Sequence, residues 1–218
     1  MEINDRINKE LQLIEEPDYY KIEDYSSYAL FIVDMNKGFG KKGALYSDRV
    51  EGIIPDIIKL TKAFISNNSP VIAFTDSHNA DSVEFNAYPT HCLKDDPESE
   101  LVPEFDEYKD SIKIINKNST NAFLENEAKA EIDNLIKRGI SNFVITGCCS
   151  DICISQLSLT LKAYFNKENL NLMVIVPMDV IETYDAPWHK ADIMNLFALY
   201  EMKAGGVHIV NSLIRACK

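Results

Sequence analysis

Cys153 lies in FVITGCCSDICISQL (143–157), in surroundings suited to a thiol nucleophile. Phe143-Val144-Ile145-Thr146 is an apolar run of the kind a fully buried strand shows. Gly147 breaks it, and Ser150-Asp151 supplies a cap and a first-turn acid for a helix. This pattern places Cys153 in the first turn of a helix that leaves the carboxyl end of a strand. A thiol there meets the positive end of the helix dipole and unpaired backbone N–H groups. Both favour the thiolate, and the same N–H groups suit a developing oxyanion.

Three more residues stand in comparable places. Asp34 follows YALFIV (28–33), Asp76 follows PVIAFT (70–75) and Lys117 follows SIKIIN (111–116). In an open α/β sheet the carboxyl edge of the strands is where ligands bind. Taken singly, each residue has an ordinary structural role: a buried thiol, a turn aspartate, a solvated lysine. Together they are two carboxylates, an ammonium and a thiol converging on one sheet edge.

The elements that must carry them alternate between strand and helix. Further strands are expected at Leu172–Val176, with Asp179–Ile181 extending or bending it, and at Gly206–Val210. Helices are expected over Ile53–Asn67 with Pro55 near its start, around Ser99–Tyr108, and over Glu125–Arg138 closed by Gly139. A last helix is expected from Pro187 to about Lys203. Residues 77–97 form a long loop with almost no periodicity, and such loops are more often functional than idle. Strands apolar on both faces and alternating with helices indicate a parallel sheet covered on both sides. The expected fold is a single-domain, three-layer α/β/α architecture around a mostly parallel central sheet of about six strands. Residues 1–27, polar, acidic and rich in tyrosine, form an N-terminal arm lying on the body or on a second subunit, ahead of a domain over 28–218.

A formal net charge of −12 argues against nucleic acid or an anionic membrane as partner and leaves small substrates open. No apolar run approaches membrane-spanning length, and the start, MEINDRINKELQLIEE, is charged rather than signal-like. The odd number of cysteines, 5, in a chain too large to need stapling points to a reduced, cytoplasmic protein.

From about Tyr28 to Val210 the sequence resembles the isochorismatase-like cysteine hydrolases, and within them the nicotinamidases. Four segments carry the likeness in family order: FIVDMNKGF (31–39), DSHNADSVEFNAYPTHC (76–92), KNSTNAF (117–123) and TGCCSDIC (146–153). The resemblance implies Cys153 as nucleophile, Asp34 as general base and Lys117 as third member of a triad. It implies the backbone N–H groups of Cys149 and Cys153 as oxyanion hole, with a cis peptide before Cys149. Asp76, His78, Glu84 and His91 match the metal ligands, and that donor set suits one divalent ion, zinc first, with iron or manganese as alternatives. Phe39 and Tyr88 fall in the ring pocket. The implied reaction is hydrolysis of nicotinamide to nicotinate and ammonia within NAD salvage, by a homo-oligomer acting on a small-molecule amide. The alternative is another cysteine amidase of this family, with the same triad and a different small amide.

Overall fold

The computed structural model describes residues 21–213. The arm is described only from Lys21; residues 1–20 and Cys217 lie outside the described residues. Seven strands form one sheet: β1 (Tyr28–Val33), β2 (Val71–Asp76), β3 (Ile112–Lys117), β4 (Asn142–Cys148), β5 (Met173–Pro177), β6 (Ile181–Glu182) and β7 (His208–Val210). The order is β3-β2-β1-β4-β5-β7, all paired in parallel, with β6 on β4. β1, the central strand, is buried along its whole length. Its alternating side chains feed two cores. Ala29, Phe31 and Val33 face one side, and Leu30 and Ile32 face the other.

Helix α1 (Asp48–Ser66) covers the second face with Ile54, Ile57, Leu60 and Phe64. The first face is covered by α2 (Asn126–Lys137), α3 (Ser155–Lys167) and α4 (Ala191–Ala204), through residues such as Ile132, Leu161 and Met202. These are the expected three layers.

Several boundaries differ from expectation. Helix α1 starts at Asp48 rather than Ile53, so Pro55 is interior. Buried Val50 and Ile54, and Arg49 held 3.0 Å from both Glu182 and Asp192, support the turn ahead of the proline. The region expected as a helix around Ser99–Tyr108 is two 3-10 segments, Pro97–Ser99 and Pro103–Ser111. Pro103 has no N–H to join them. Pro187 does not open the last helix. Residues Ala186 and His189 instead exchange backbone hydrogen bonds of 2.8 and 3.0 Å, and α4 begins at Ala191, whose N–H donates to Asp185 Oδ1 at 3.0 Å. Of the two expectations for Asp179–Ile181, extending or bending β5, the structure shows the bend, a 3-10 turn after which β6 pairs with the end of β4.

Register delivers the candidate residues to one place. Asp76 pairs with Lys117, and Val33 pairs with both Phe74 and Gly147. At Gly147, φ is +116°, and a Cβ there would lie 1.9 Å from the Val33 carbonyl oxygen. Only glycine lets β4 approach β1 so closely just before the residues that follow both strands.

Candidate active site

Asp34, the first residue after β1, has a left-handed backbone (φ 53°), a conformation aspartate tolerates better than most residues. Its carboxylate reaches across the strand ends. Oδ1 accepts the N–H of Asp76 at 3.1 Å, and Oδ2 lies 2.8 Å from Lys117 Nζ. Lys117, the last residue of β3, also pairs with Asp76, donates to the Ser119 carbonyl at 3.1 Å and sits 3.8 Å from Cys153 Sγ. All four side chains are buried. One ammonium thus joins two carboxylates and the thiol.

The electrostatics follow from that burial. Desolvation and the nearby Asp76 charge raise Asp34 to about 7, with Lys117 opposing. Burial also works against ionised Asp76, yet Lys117, His78 and His91 hold its carboxyl well below the usual range. Burial opposes a charged Lys117, but the two carboxylates outweigh it and raise its pKa. For Cys153 the expectation of a ready thiolate is not met. Desolvation pushes the thiol well up, and the attraction of Lys117 is offset by Asp34 and Asp76. The thiol therefore rests protonated, beside a carboxylate whose raised pKa suits it to take that proton.

Cys153 lies in a π-helical turn, Ser150–Ile154, that leads into α3. The Cys148–Cys149 peptide before it is cis, as the resemblance implied. The Cys149 carbonyl accepts from Ile152 and Ile154, each at 3.1 Å. Ser150 is not the cap, because its hydroxyl donates to Asn195 Oδ1 of α4. The position before the turn belongs to Cys149, which makes no side-chain capping bond.

Beside this group, the ligand atoms of Asp76, His78, Glu84 and His91 all lie within 4.8 Å of one another. His78 Nε2 is 3.5 Å from Asp76 Oδ1 and 3.9 Å from Glu84 Oε1; His91 Nε2 is 3.4 Å from Asp76 Oδ2. Both rings are aimed from behind. Asn118 Oδ1 lies 3.1 Å from His78 Nδ1, and the Pro89 carbonyl lies 2.7 Å from His91 Nδ1. A carbonyl oxygen can only accept, so Nδ1 carries the proton on His91 and its Nε2 keeps a lone pair for a metal. His78 Nε2 is buried with no hydrogen-bond partner. An orphaned imidazole nitrogen facing two carboxylates fits a divalent cation.

These groups open into a cavity of about 620 Å³ lined by Asp34, Asp76, Glu84, His91, Cys149 and Cys153. Phe39 and Tyr88 line it too, their rings 5.6 and 6.4 Å from that of His91. Every site residue expected from sequence is therefore at this one place. Sequence reasoning missed Asn118, which directly follows Lys117, and Asn36, whose amide anchors the Asp76 carbonyl at 2.9 Å. It also missed Tyr46, Ile152, Tyr184 and Trp188 on the cavity wall. Asn118 carried a signal, a side-chain amide beside a strand-end lysine.

The isochorismatase domain model matches residues 28–207 of the chain. Nicotinamidase 1 of Arabidopsis thaliana is 28% identical over 236 residues, covering 97% of this chain and 96% of that protein. The crystal structure of a nicotinamidase from Bacillus subtilis superposes with a TM-score of 0.71 at 23% identity, over 84% of this chain and 99% of that one. The pyrazinamidase of Pyrococcus horikoshii, solved in complex with zinc, gives a TM-score of 0.69 at 25% identity, over 85% of this chain and 99% of that one.

Proposed function

The chain belongs to the isochorismatase family, and from that membership we propose that it is a nicotinamidase, hydrolysing nicotinamide to nicotinate and ammonia. The observation that carries the reading is a metal-ligand cluster opening into the same cavity as a buried Asp-Lys-Cys group. Similarity to the Arabidopsis nicotinamidase along nearly the whole chain supports it.

Cys153 Sγ attacks the carboxamide carbon as Asp34 takes the thiol proton. The N–H groups of Cys149 and Cys153 hold the oxyanion. Asp34 then passes its proton to the departing ammonia, which leaves a thioester on Cys153. Water attacks that thioester, giving its proton to Asp34. Nicotinic acid departs, releasing its carboxyl proton to solvent as nicotinate, and the proton on Asp34 returns to the sulfur. Lys117 keeps the buried Asp34 charge tolerable through the cycle. Asp76, His78, Glu84 and His91 would hold one divalent ion, zinc by the character of its donors, with iron or manganese as alternatives. When bound, that ion supplies a coordination point for the pyridine nitrogen. Phe39 and Tyr88 flank the ring. The reading places the protein in NAD salvage in the cytoplasm, as a homo-oligomer. Among the described residues, no helix is long and apolar enough to cross a membrane.

The test is ammonia release from nicotinamide by purified protein, before and after removal of the metal, with metal content measured in parallel. Release that disappears on stripping and returns with zinc is the expected outcome. Cleavage of other small amides by the metal-loaded protein, with nicotinamide untouched, would overturn the substrate assignment.

A further inference from the structure

Behind the nucleophile turn, His189 is held by two oxygens. Its Nε2 lies 2.8 Å from Asp151 Oδ2 and its Nδ1 lies 2.9 Å from the Tyr184 carbonyl. The carbonyl can only accept, so Nδ1 donates to it. The ring is thus clamped at both nitrogens, between the backbone and the carboxylate of the nucleophile turn. The imidazole lies flat on the Tyr184 ring, with centroids 3.8 Å apart and planes 10° apart, a stacked pair. Asp151 is fixed on its other oxygen by the Thr183 hydroxyl at 2.6 Å. The preceding residue, Ser150, is tied to Asn195, whose amide donates to Glu182 at 2.5 Å.

Both residues that open the π-helical turn are thus anchored to one stretch, 182–195, and by side chains rather than by strand pairing. That stretch is the same one that puts Tyr184 and Trp188 on the cavity wall. Asp151 is two residues from Cys153, so a shift in its carboxylate moves the sulfur and the backbone N–H beside it. Burial of His189 excludes a solvent-exposed, replaceable contact.

We propose that His189 is a positioning residue: through Asp151 it fixes the turn that aims Cys153, and through Tyr184 it sets that turn in register with the cavity wall. The inference rests on the proposed amide hydrolysis only for its kinetic readout. Misplacing a nucleophile by an ångström costs on the order of 10²-fold in the chemical step, whereas loosening one cavity wall costs binding.

The test is a double-mutant cycle on the metal-loaded full chain with His189→Phe, which keeps a ring against Tyr184, and Asp151→Asn. Each single variant is expected to lower kcat by about 10- to 100-fold with KM within about threefold, and the double variant to be no slower than the worse single one. His189→Gln, which restores one donor, is expected to recover part of the loss and serves if the Phe variant fails to fold. A second readout needs no substrate assignment: the rate of Cys153 alkylation by iodoacetamide, followed by mass spectrometry, is expected to fall in parallel. If wild-type protein leaves nicotinamide intact, the substrate reading fails, and the alkylation cycle alone decides the role of His189. Losses that multiply in the double variant, a rise in KM with kcat unchanged, or alkylation at the wild-type rate would each overturn the proposal.

Discussion

Asp34, Lys117 and Cys153 stand at or just beyond strand ends, whereas His78, Glu84 and His91 hang on the irregular stretch between β2 and β3. Asp76 belongs to both groups, paired with Lys117 on one side and facing the two imidazoles on the other. The first group carries its own counter-charge, one ammonium against both carboxylates. The second gathers two carboxylates and two imidazoles whose ligand atoms lie within 4.8 Å of one another. Sheet register places Asp34 and Lys117, and Cys153 follows from the turn after β4 and its side-chain anchors. The second needs an orienting contact behind each ring, from Asn118 and from Pro89. A reacting group is held by the fold, and a cation site by its own small network.

If the two groups are separate constructions, damage to one should spare the other. The largest effect is expected from Cys153→Ala, a loss of amide hydrolysis of at least about 10⁴-fold with bound metal unchanged by elemental analysis. A parallel fall in metal content would break the comparison. Lys117→Met should instead injure both, because it leaves two buried carboxylates facing one another without a cation. Urea unfolding of the metal-free variant should show a loss of about 3–5 kcal/mol. Near-wild-type stability would mean that Lys117 is not the shared brace.

Asn118→Ala should act on the cluster alone. Metal affinity is expected to drop about 10- to 100-fold by competition with a chelator, and activity to return at saturating metal. The smallest and most gradual effect concerns pH. Asp34, raised to about 7 by burial and by Asp76, gains a proton as pH falls through that value and can no longer take one from the thiol. Activity, measured as kcat/KM, should then decline about tenfold per pH unit on the acid side of a limb centred close to 7. A limb near 4 would show that Asp34 is not the base, or that its charge is far better compensated than the ion pair with Lys117 allows.

Gly147 shows how much of the fold a sequence can announce. Its position after an apolar run marked a break near the end of β4, but that the Val33 carbonyl lies where a side chain would be is a fact of strand pairing. The start of α1 shows the reverse. Local rules place a proline in a first turn, yet Arg49 finds partners on Glu182 and Asp192, distant in sequence, and the helix extends ahead of Pro55. At Ser150 the capping pattern was present, and a contact with α4 took the hydroxyl away from it.

By itself the sequence determined six of the seven strands, all but the two-residue β6, because their apolar runs favour burial. It also placed a thiol, an ammonium and two carboxylates at the ends of those strands, where a parallel sheet gathers them. Only the tertiary structure decided how their charges combine. One ammonium serves two carboxylates, and burial holds the thiol protonated while raising its acceptor, Asp34. Proton affinity depends on every charge and every excluded water within a few ångströms, and neighbours at that distance come from four separate strands. The bracing of the nucleophile turn by His189 has the same origin, a contact between segments that meet only when the chain is folded.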